Sequence, residues 1–463
     1  MDLIAYVQGP YGRVEDERTD RDLEVEGELP ADLAGVFVQN HANPRFEPMG
    51  FYHWFDGDGM VHGVEIAGGK ATYRNRYIRT AAFEAESAAG KVLAPGILGP
   101  LGPLDGAAPL DKDTANTDVT FFQGGLFATW WLSGEPMRLS LPDLDTVGVE
   151  RFGAPPGLRV AAHPKVDPRR GELVFIDYDV YGRRPLRTGV IGADGRLLRL
   201  HEVPGARPTL YHDIAITEHH TVIPDLPMAY NPAKLAQGKR RPEFLRDAPA
   251  RFAVVHRDTG AVRWFEASPC YSYHTVNAWE ETDARGSRIH LIGCRIEQPV
   301  PLRPRAEDAD VPRLFHLRLE PVLYRWTFDL GTGDVREEAL DDTLTEFPRM
   351  DDRWLGARSR FAFHPRVDRG MTLLFDGLIR YDLEAGTSKT LALAPDKVGA
   401  EAVFAPRGAG EGDGWLIHFQ TDRQGERSEL VVIDAVEMTP VARVKLPRRV
   451  PFAFHAEWAP LTA

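Results

Sequence analysis

Cysteine is nearly absent from this sequence. Two residues in 463, Cys270 and Cys294, exclude a disulfide framework and fit a reducing compartment. An excess of positive charge is also lacking. The 55 basic residues face 68 acidic ones, for a net charge of -13, which excludes the basic face a nucleic-acid binder needs. No apolar run reaches the length of a membrane span. The first twenty residues, "MDLIAYVQGPYGRVEDERTD", are charged and lack the apolar core of a signal peptide, so the expected location is cytoplasmic. Long amphipathic helical patterns are scarce. What is present is Gly (43) and Pro (36), spread along the chain and not gathered into a linker, in a composition of mean hydropathy -0.31.

Between these turn formers a unit recurs: an apolar strand, a turn of Asp, Gly or Thr, and a second alternating strand. Seven copies occur, at 64–77, 139–152, 189–203, 253–267, 326–340, 379–393 and 431–446. Their spacing, roughly 50 to 75 residues, suits a four-stranded blade with its loops. The expected fold is all-β, a single seven-bladed β-propeller over residues 1–463; two stacked β-sandwich domains are the alternative. The stretch "FYHWFDGDGMVHGVEI" (51–66) resembles the start of an EF-hand. Counting from Asp56, however, the positions that require Gly and Glu hold Val61 and Ala67, which excludes that loop. A hairpin is expected instead, with "HWF" and "MVHGVEI" as its strands. His53 and His62 in it read as structural.

Four other histidines fall in phase, whereas His219, His220, His364 and His418 have no comparable placement. His163, His212, His274 and His455 each lie 7 to 11 residues past hairpins two, three, four and seven. Glu346 and Glu401 follow hairpins five and six at similar offsets. In a propeller this is where the innermost strand of the next blade begins, so the six side chains should meet at one end of the axis. One such histidine alone would read as a satisfied polar group at a strand start. Four at one phase point to a metal, since imidazole suits iron, copper, nickel and zinc, and carboxylates behind the rings would fix their tautomers.

Ordered motifs from about Leu23 to Trp458 resemble the carotenoid cleavage oxygenase family: "FYHWFDGDGMVHGVEI", "KDTANTDV", "AHPKVDP", "HDIAIT…TVIPDLPM", "HTVNAWEE", "EFPRMD" and "FHAEW". The resemblance implies a seven-bladed propeller with loops capping an axial Fe(II). It implies that His163, His212, His274 and His455 are the iron ligands and that Glu346 and Glu401 support them from behind. The implied reaction cleaves an alkene with O2 into two carbonyl products. One departure stands out. A third supporting Glu, usual in the family, falls on Trp131 or Leu132 here, with Glu135 too late in the chain, so one imidazole should bond to water or a backbone carbonyl instead.

The same stretch bears on substrate. Stilbene-cleaving members hold a phenol through a Lys here and a Tyr in the preceding loop; this chain has "ATWW" and no tyrosine in that loop. A hydrophobic, carotenoid-derived polyene is therefore the expected substrate, with a stilbene or phenylpropenoid as the alternative and Phe51, Trp130, Trp131 and Phe454 as its expected wall. Trp130 and Trp131 read equally as core. Residues 78–118 form an insertion that contributes to the cap. Within it, 92–104 reads either as an apolar lip contacting a membrane peripherally or as a loop packed over the propeller face. A metal-free propeller serving as a binding platform and an isomerase are the rival functions.

Overall fold

A computed structural model describes residues 9–48, 52–94, 96–97, 111–240, 242–299, 319–370 and 372–461. The expected substrate residue Phe51, and residues 95 and 98–104 of the expected lip, lie outside the described residues.

The chain forms a seven-bladed β-propeller. All seven sequence hairpins are present, each supplying the third and fourth strands of a blade. The second blade, for example, runs Asp118–Phe122, Gly125–Thr129, Met137–Leu139, Thr146–Val149. The next three blades begin with Lys165–Asp167, Ala215–Ile216 and Tyr271–Asp283. The sixth starts with a short segment that bridges Phe361–Val367 at Thr345↔Arg366 and Arg349↔Phe363. The seventh starts with Val403–Pro406, and Lys397–Gly399 pairs with strands of both the sixth and the seventh. The first blade closes the ring: the C-terminal strand Ala456–Pro460 is its innermost, paired with Gly35–Ala42, which in turn pairs with Gly59–Ala67.

Both faces of each blade are covered by neighbours, so strands such as Glu172–Asp177 are buried along their whole length. The apolar core is divided among the gaps between blades. Phe252 and Phe265 of the fourth blade pack on Trp326 and Phe328 of the fifth. Phe37 of the first packs edge-on against Phe419 of the seventh at 4.8 Å. Each fully buried side chain of this size contributes about 1.5–3 kcal/mol, and the wedges fix how the blades rotate about the axis.

The expected hairpin at 51–66 is not formed. Trp54–Asp56 is a 3₁₀ turn, and Gly59–Ala67 pairs with Gly35–Ala42 and Lys70–Tyr77. Local side-chain bonds win over the ladder here: the His53 ring accepts the Phe55 N–H, and Asp56 accepts the His53 N–H at 2.9 Å and the Ile97 N–H at 2.8 Å. Among the described residues no helix is long and apolar enough to cross a membrane.

Candidate metal centre

Each side chain expected on the axis stands at or just before an innermost strand. His163 precedes Lys165–Asp167, His212 precedes Ala215–Ile216, Glu401 precedes Val403–Pro406 and His455 precedes Ala456–Pro460. His274 lies within Tyr271–Asp283, at a point where the pairing with Gly286–Ile296 shifts register twice, between Ser272 and Thr275 and between Thr275 and Asn277. A regular strand would send Tyr273 and His274 to opposite faces. The irregularity lets both face the axis.

The four histidines converge. Their ligand atoms all lie within 4.8 Å of one another, and ring centroids are 4.3 Å apart for His163 and His455 and 5.0 Å for His212 and His274. His212 Nε2 and His274 Nε2 stand 3.2 Å apart. That separation suits adjacent ligands of an ion bonded to nitrogen at about 2.1 Å. The Nε2 of His163 is buried without a hydrogen-bond partner among the described residues. Burial, reinforced by the neighbouring rings and cations, holds all four imidazoles well below their usual pKa, so they are neutral and carry free lone pairs. The donor set therefore fits a metal ion.

Carboxylates set the tautomers. His274 Nδ1 donates to Glu346 at 2.5 Å, and His455 Nδ1 donates to Glu401 at 3.2 Å, leaving each Nε2 to face the centre. Burial pushes the Glu346 carboxyl well above its usual value and that of Glu401 up to about 7; a cation on the axis would supply the compensating charge. A third carboxylate, unanticipated in the sequence, is Asp118. It accepts the His163 backbone N–H at 3.0 Å and stands 3.5 Å from the Nδ1 of that ring. Asp118 opens the innermost strand of the second blade, in the same phase as the others. It lies 41 residues past the first hairpin, far beyond the short offset that revealed the rest. His212 alone of the four has no carboxylate contact among the described residues.

Two cavities meet at the histidines. On one side is a narrow slot of about 40 Å³ walled by Trp54, Phe55, Trp131, Phe347, Leu373 and Phe454, with Thr117, Tyr273 and Glu346 as its polar members. On the other is a polar well of about 410 Å³ lined by Asp118, Lys165, Asp213, Arg349, Glu401 and Glu457. Trp131 and Phe454 thus lie where substrate was expected. Trp130 instead faces a separate groove with Tyr52, Val92 and Ile97, and Phe55 borders both. Trp54, Phe55, Phe347 and Tyr273 were not singled out from sequence, although Tyr273 and Phe347 each adjoin a residue that was. The remaining histidines lie apart from the cluster: His53 caps its turn, and His62 bonds the Tyr73 hydroxyl at 2.7 Å.

The family model described as retinal pigment epithelial membrane protein matches residues 11–460. The chain is 34% identical to carotenoid 9,10(9',10')-cleavage dioxygenase 1 of Arabidopsis thaliana over 98% of this chain and 89% of that protein. It is 31% identical to a carotenoid cleavage oxygenase of Mycobacterium tuberculosis over 99% and 98%. Among solved structures, a lignostilbene dioxygenase of Pseudomonas brassicacearum superimposes with a TM-score of 0.85 at 31% identity, covering 98% of each chain. A Synechocystis apocarotenoid oxygenase superimposes with a TM-score of 0.86 at 26% identity, again covering 98% of each.

Proposed function

The chain belongs to the retinal pigment epithelial membrane protein and carotenoid cleavage oxygenase family, an oxygenase family acting by oxidative alkene cleavage, and from that premise we propose that it is a ferrous dioxygenase of a carotenoid-derived polyene. The observation that carries the reading is a cluster of four neutral imidazoles, three of which, His212, His274 and His455, line an apolar slot. His163, His212, His274 and His455 would hold iron, which supplies the redox chemistry that lets O2 react with an alkene. The overall change balances as one alkene and one O2 giving two carbonyl compounds.

The chain's own residues do the rest. Glu346 and Glu401 hold the His274 and His455 rings in the tautomer that directs Nε2 inward, and would support a bound ion through those rings and not as its ligands. The aromatic walls, with Trp54 stacked on Phe454 at 4.2 Å, exclude water and confine an extended flat hydrocarbon beside the histidines. No Lys or Arg lines the slot among the described residues, which favours a polyene over a phenolate. A stilbene or phenylpropenoid is the second reading, favoured by the likeness to the lignostilbene dioxygenase. The test is competition between an apocarotenal and a 4-hydroxystilbene in air with ferrous iron, with both carbonyl products identified by mass. Higher kcat/KM for the stilbene selects the second reading, and cleavage of neither rejects both.

The same proposal includes a cytoplasmic enzyme that meets its substrate at a membrane surface through residues 92–104. Leu93, 51% exposed, supports it. Co-sedimentation with phospholipid vesicles that survives Leu93→Asp unchanged would remove that residue from the contact.

A further inference from the structure

Tyr273 is out of keeping with its surroundings. The slot is walled by hydrocarbon, yet Tyr273 brings a phenol into it beside two of the four clustered histidines. Its ring meets His212 edge-on, with centroids 5.1 Å apart and planes at 90°, and stands against Tyr271 at 4.9 Å and 82°. These contacts fix the ring from two sides. Among the described residues the hydroxyl has no hydrogen-bond partner. The other polar members of the wall are occupied differently: the Thr117 hydroxyl donates to Asn116 at 3.0 Å and accepts the Trp131 N–H at 3.2 Å, and one oxygen of Glu346 holds His274.

The backbone reinforces the point. Tyr273 lies in the irregular stretch between Ser272 and Thr275, where the strand breaks register. The residue is only partly buried, so water can meet the hydroxyl until a ligand displaces it. A hydroxyl in an apolar wall without a protein partner is therefore a hydrogen-bonding position left for the ligand.

We propose that Tyr273 is a specificity-determining residue whose hydroxyl binds an oxygen atom on the substrate, so that the enzyme selects alkenes bearing a carbonyl or hydroxyl near the double bond over pure hydrocarbons of the same length. This rests on the slot being the alkene site. It adds that the substrate is oxygenated and names where the oxygen lies, on the His212 side of the slot. Because the bond to the phenol is present before and during the reaction, it acts on binding and leaves the chemical step alone.

The test compares wild type with Tyr273→Phe on a series of apocarotenals of stepwise length and on hydrocarbon polyenes of matched length. For the best apocarotenal, Tyr273→Phe should raise KM about 3- to 10-fold with kcat unchanged, and for the hydrocarbons it should change neither. Titration of metal-free protein with the same compounds, followed by quenching of tryptophan fluorescence, should show the same loss for the aldehyde alone. Equal losses for aldehyde and hydrocarbon, no loss for either, or a change confined to kcat would overturn the proposal. If wild type cleaves none of the polyenes, it is the alkene-site reading that fails. Binding to the metal-free protein then still decides whether Tyr273 distinguishes aldehyde from hydrocarbon.

Discussion

The Asp118 carboxylate ties two neighbouring blades together at the metal centre: one oxygen accepts the N–H of Val119 at 2.8 Å, and the other accepts the N–H of His163 at 3.0 Å. His163 needs the tie, because its φ of 64° is a left-handed conformation that side chains rarely adopt. The next pair of blades repeats the device. Asp213 accepts the N–H groups of Ile214 and Thr275, each at 2.7 Å. Each carboxylate uses both oxygens to splice adjacent innermost strands, and a histidine of the cluster lies at or beside each splice.

From this follows the behaviour of Asp118→Asn. An amide has one acceptor oxygen, so one of the two N–H groups must face an NH2. The loss of a buried bond costs about 1–3 kcal/mol, and the His163 backbone is the part freed to relax. The variant should melt lower without metal and take up ferrous iron less tightly. Calorimetry and chelator competition read the two effects. An unchanged melting temperature would show that the splice does not hold His163.

Glu346 and Glu401 should respond unequally to Gln. Glu346 receives both the His274 ring and the Phe347 N–H on a single oxygen, so a glutamine can present its one oxygen to both. Glu401 divides its bonds, one oxygen to His455 and the other to the Ala456 N–H. Glu401→Gln must give one of them up. Within the roughly 10- to 100-fold range such supports are worth, Glu346→Gln should fall at the mild end and Glu401→Gln at the severe end, in metal affinity as well as turnover. The reverse order would place the functional weight of Glu346 on its charge.

Replacing any of His163, His212, His274 or His455 by Ala should abolish stoichiometric iron binding, measured on anaerobically purified protein. His220→Ala is the control, since His220 bonds Glu280 and lies outside the cluster. Full iron content in His274→Ala would remove it from the ligand set.

Much of this centre could be read from the chain because propeller geometry converts position along the sequence into position around the axis. The seven hairpins set the phase, and six of the axial side chains followed from it. Asp118 did not, because it lies 41 residues past the first hairpin, against 6 to 11 for the others. The short turn at Trp54–Asp56 was misread as a strand because aromatic alternation looks the same whether a ladder or a capped turn claims the backbone amides. Tyr273 escaped notice for another reason: it lies in a stretch where the strand shifts register, and period-two reasoning cannot anticipate that.

Glu280 provides a pH test away from the metal. It joins the fifth blade to the fourth, with His219 Nδ1 at 2.9 Å and His220 Nδ1 at 3.0 Å. Burial alone would raise its carboxyl, but bonds from His220, Thr217 and His219 outweigh that and hold it far below the usual range. A depressed carboxylate contributes its full stabilisation above its unfolded pKa, about 4.3, and loses it progressively as pH falls from there toward the depressed folded value. Glu280→Gln should therefore melt lower than wild type at pH 7, with the gap narrowing progressively as pH falls below about 4.5. A gap independent of pH would mean that packing, and not charge, joins the blades.

Trp131 is one of the two residues, with Leu132, that stand where a third supporting carboxylate was expected, and it lines the same slot as His212, the one clustered histidine with no carboxylate contact among the described residues. Trp131→Glu should therefore act on that imidazole. An acceptor of Nδ1–H makes Nε2 a better donor and holds the ring in place, which in such sites is worth about 10-fold or more in metal affinity. Without metal the same change buries a charge in an apolar wall, so the metal-free variant should melt below wild type and recover more on adding ferrous iron. Trp131→Phe removes the indole without supplying an acceptor and should leave iron retention unchanged. Trp130→Lys should alter neither iron retention nor the preference between polyene and hydroxystilbene, because Trp130 faces the neighbouring groove and not the slot. Slower loss of iron to a chelator in Trp131→Glu, alone among the three, is the expected outcome; equal loss in all three would mean that the His212 ring is already held by packing and gains nothing from a charged acceptor.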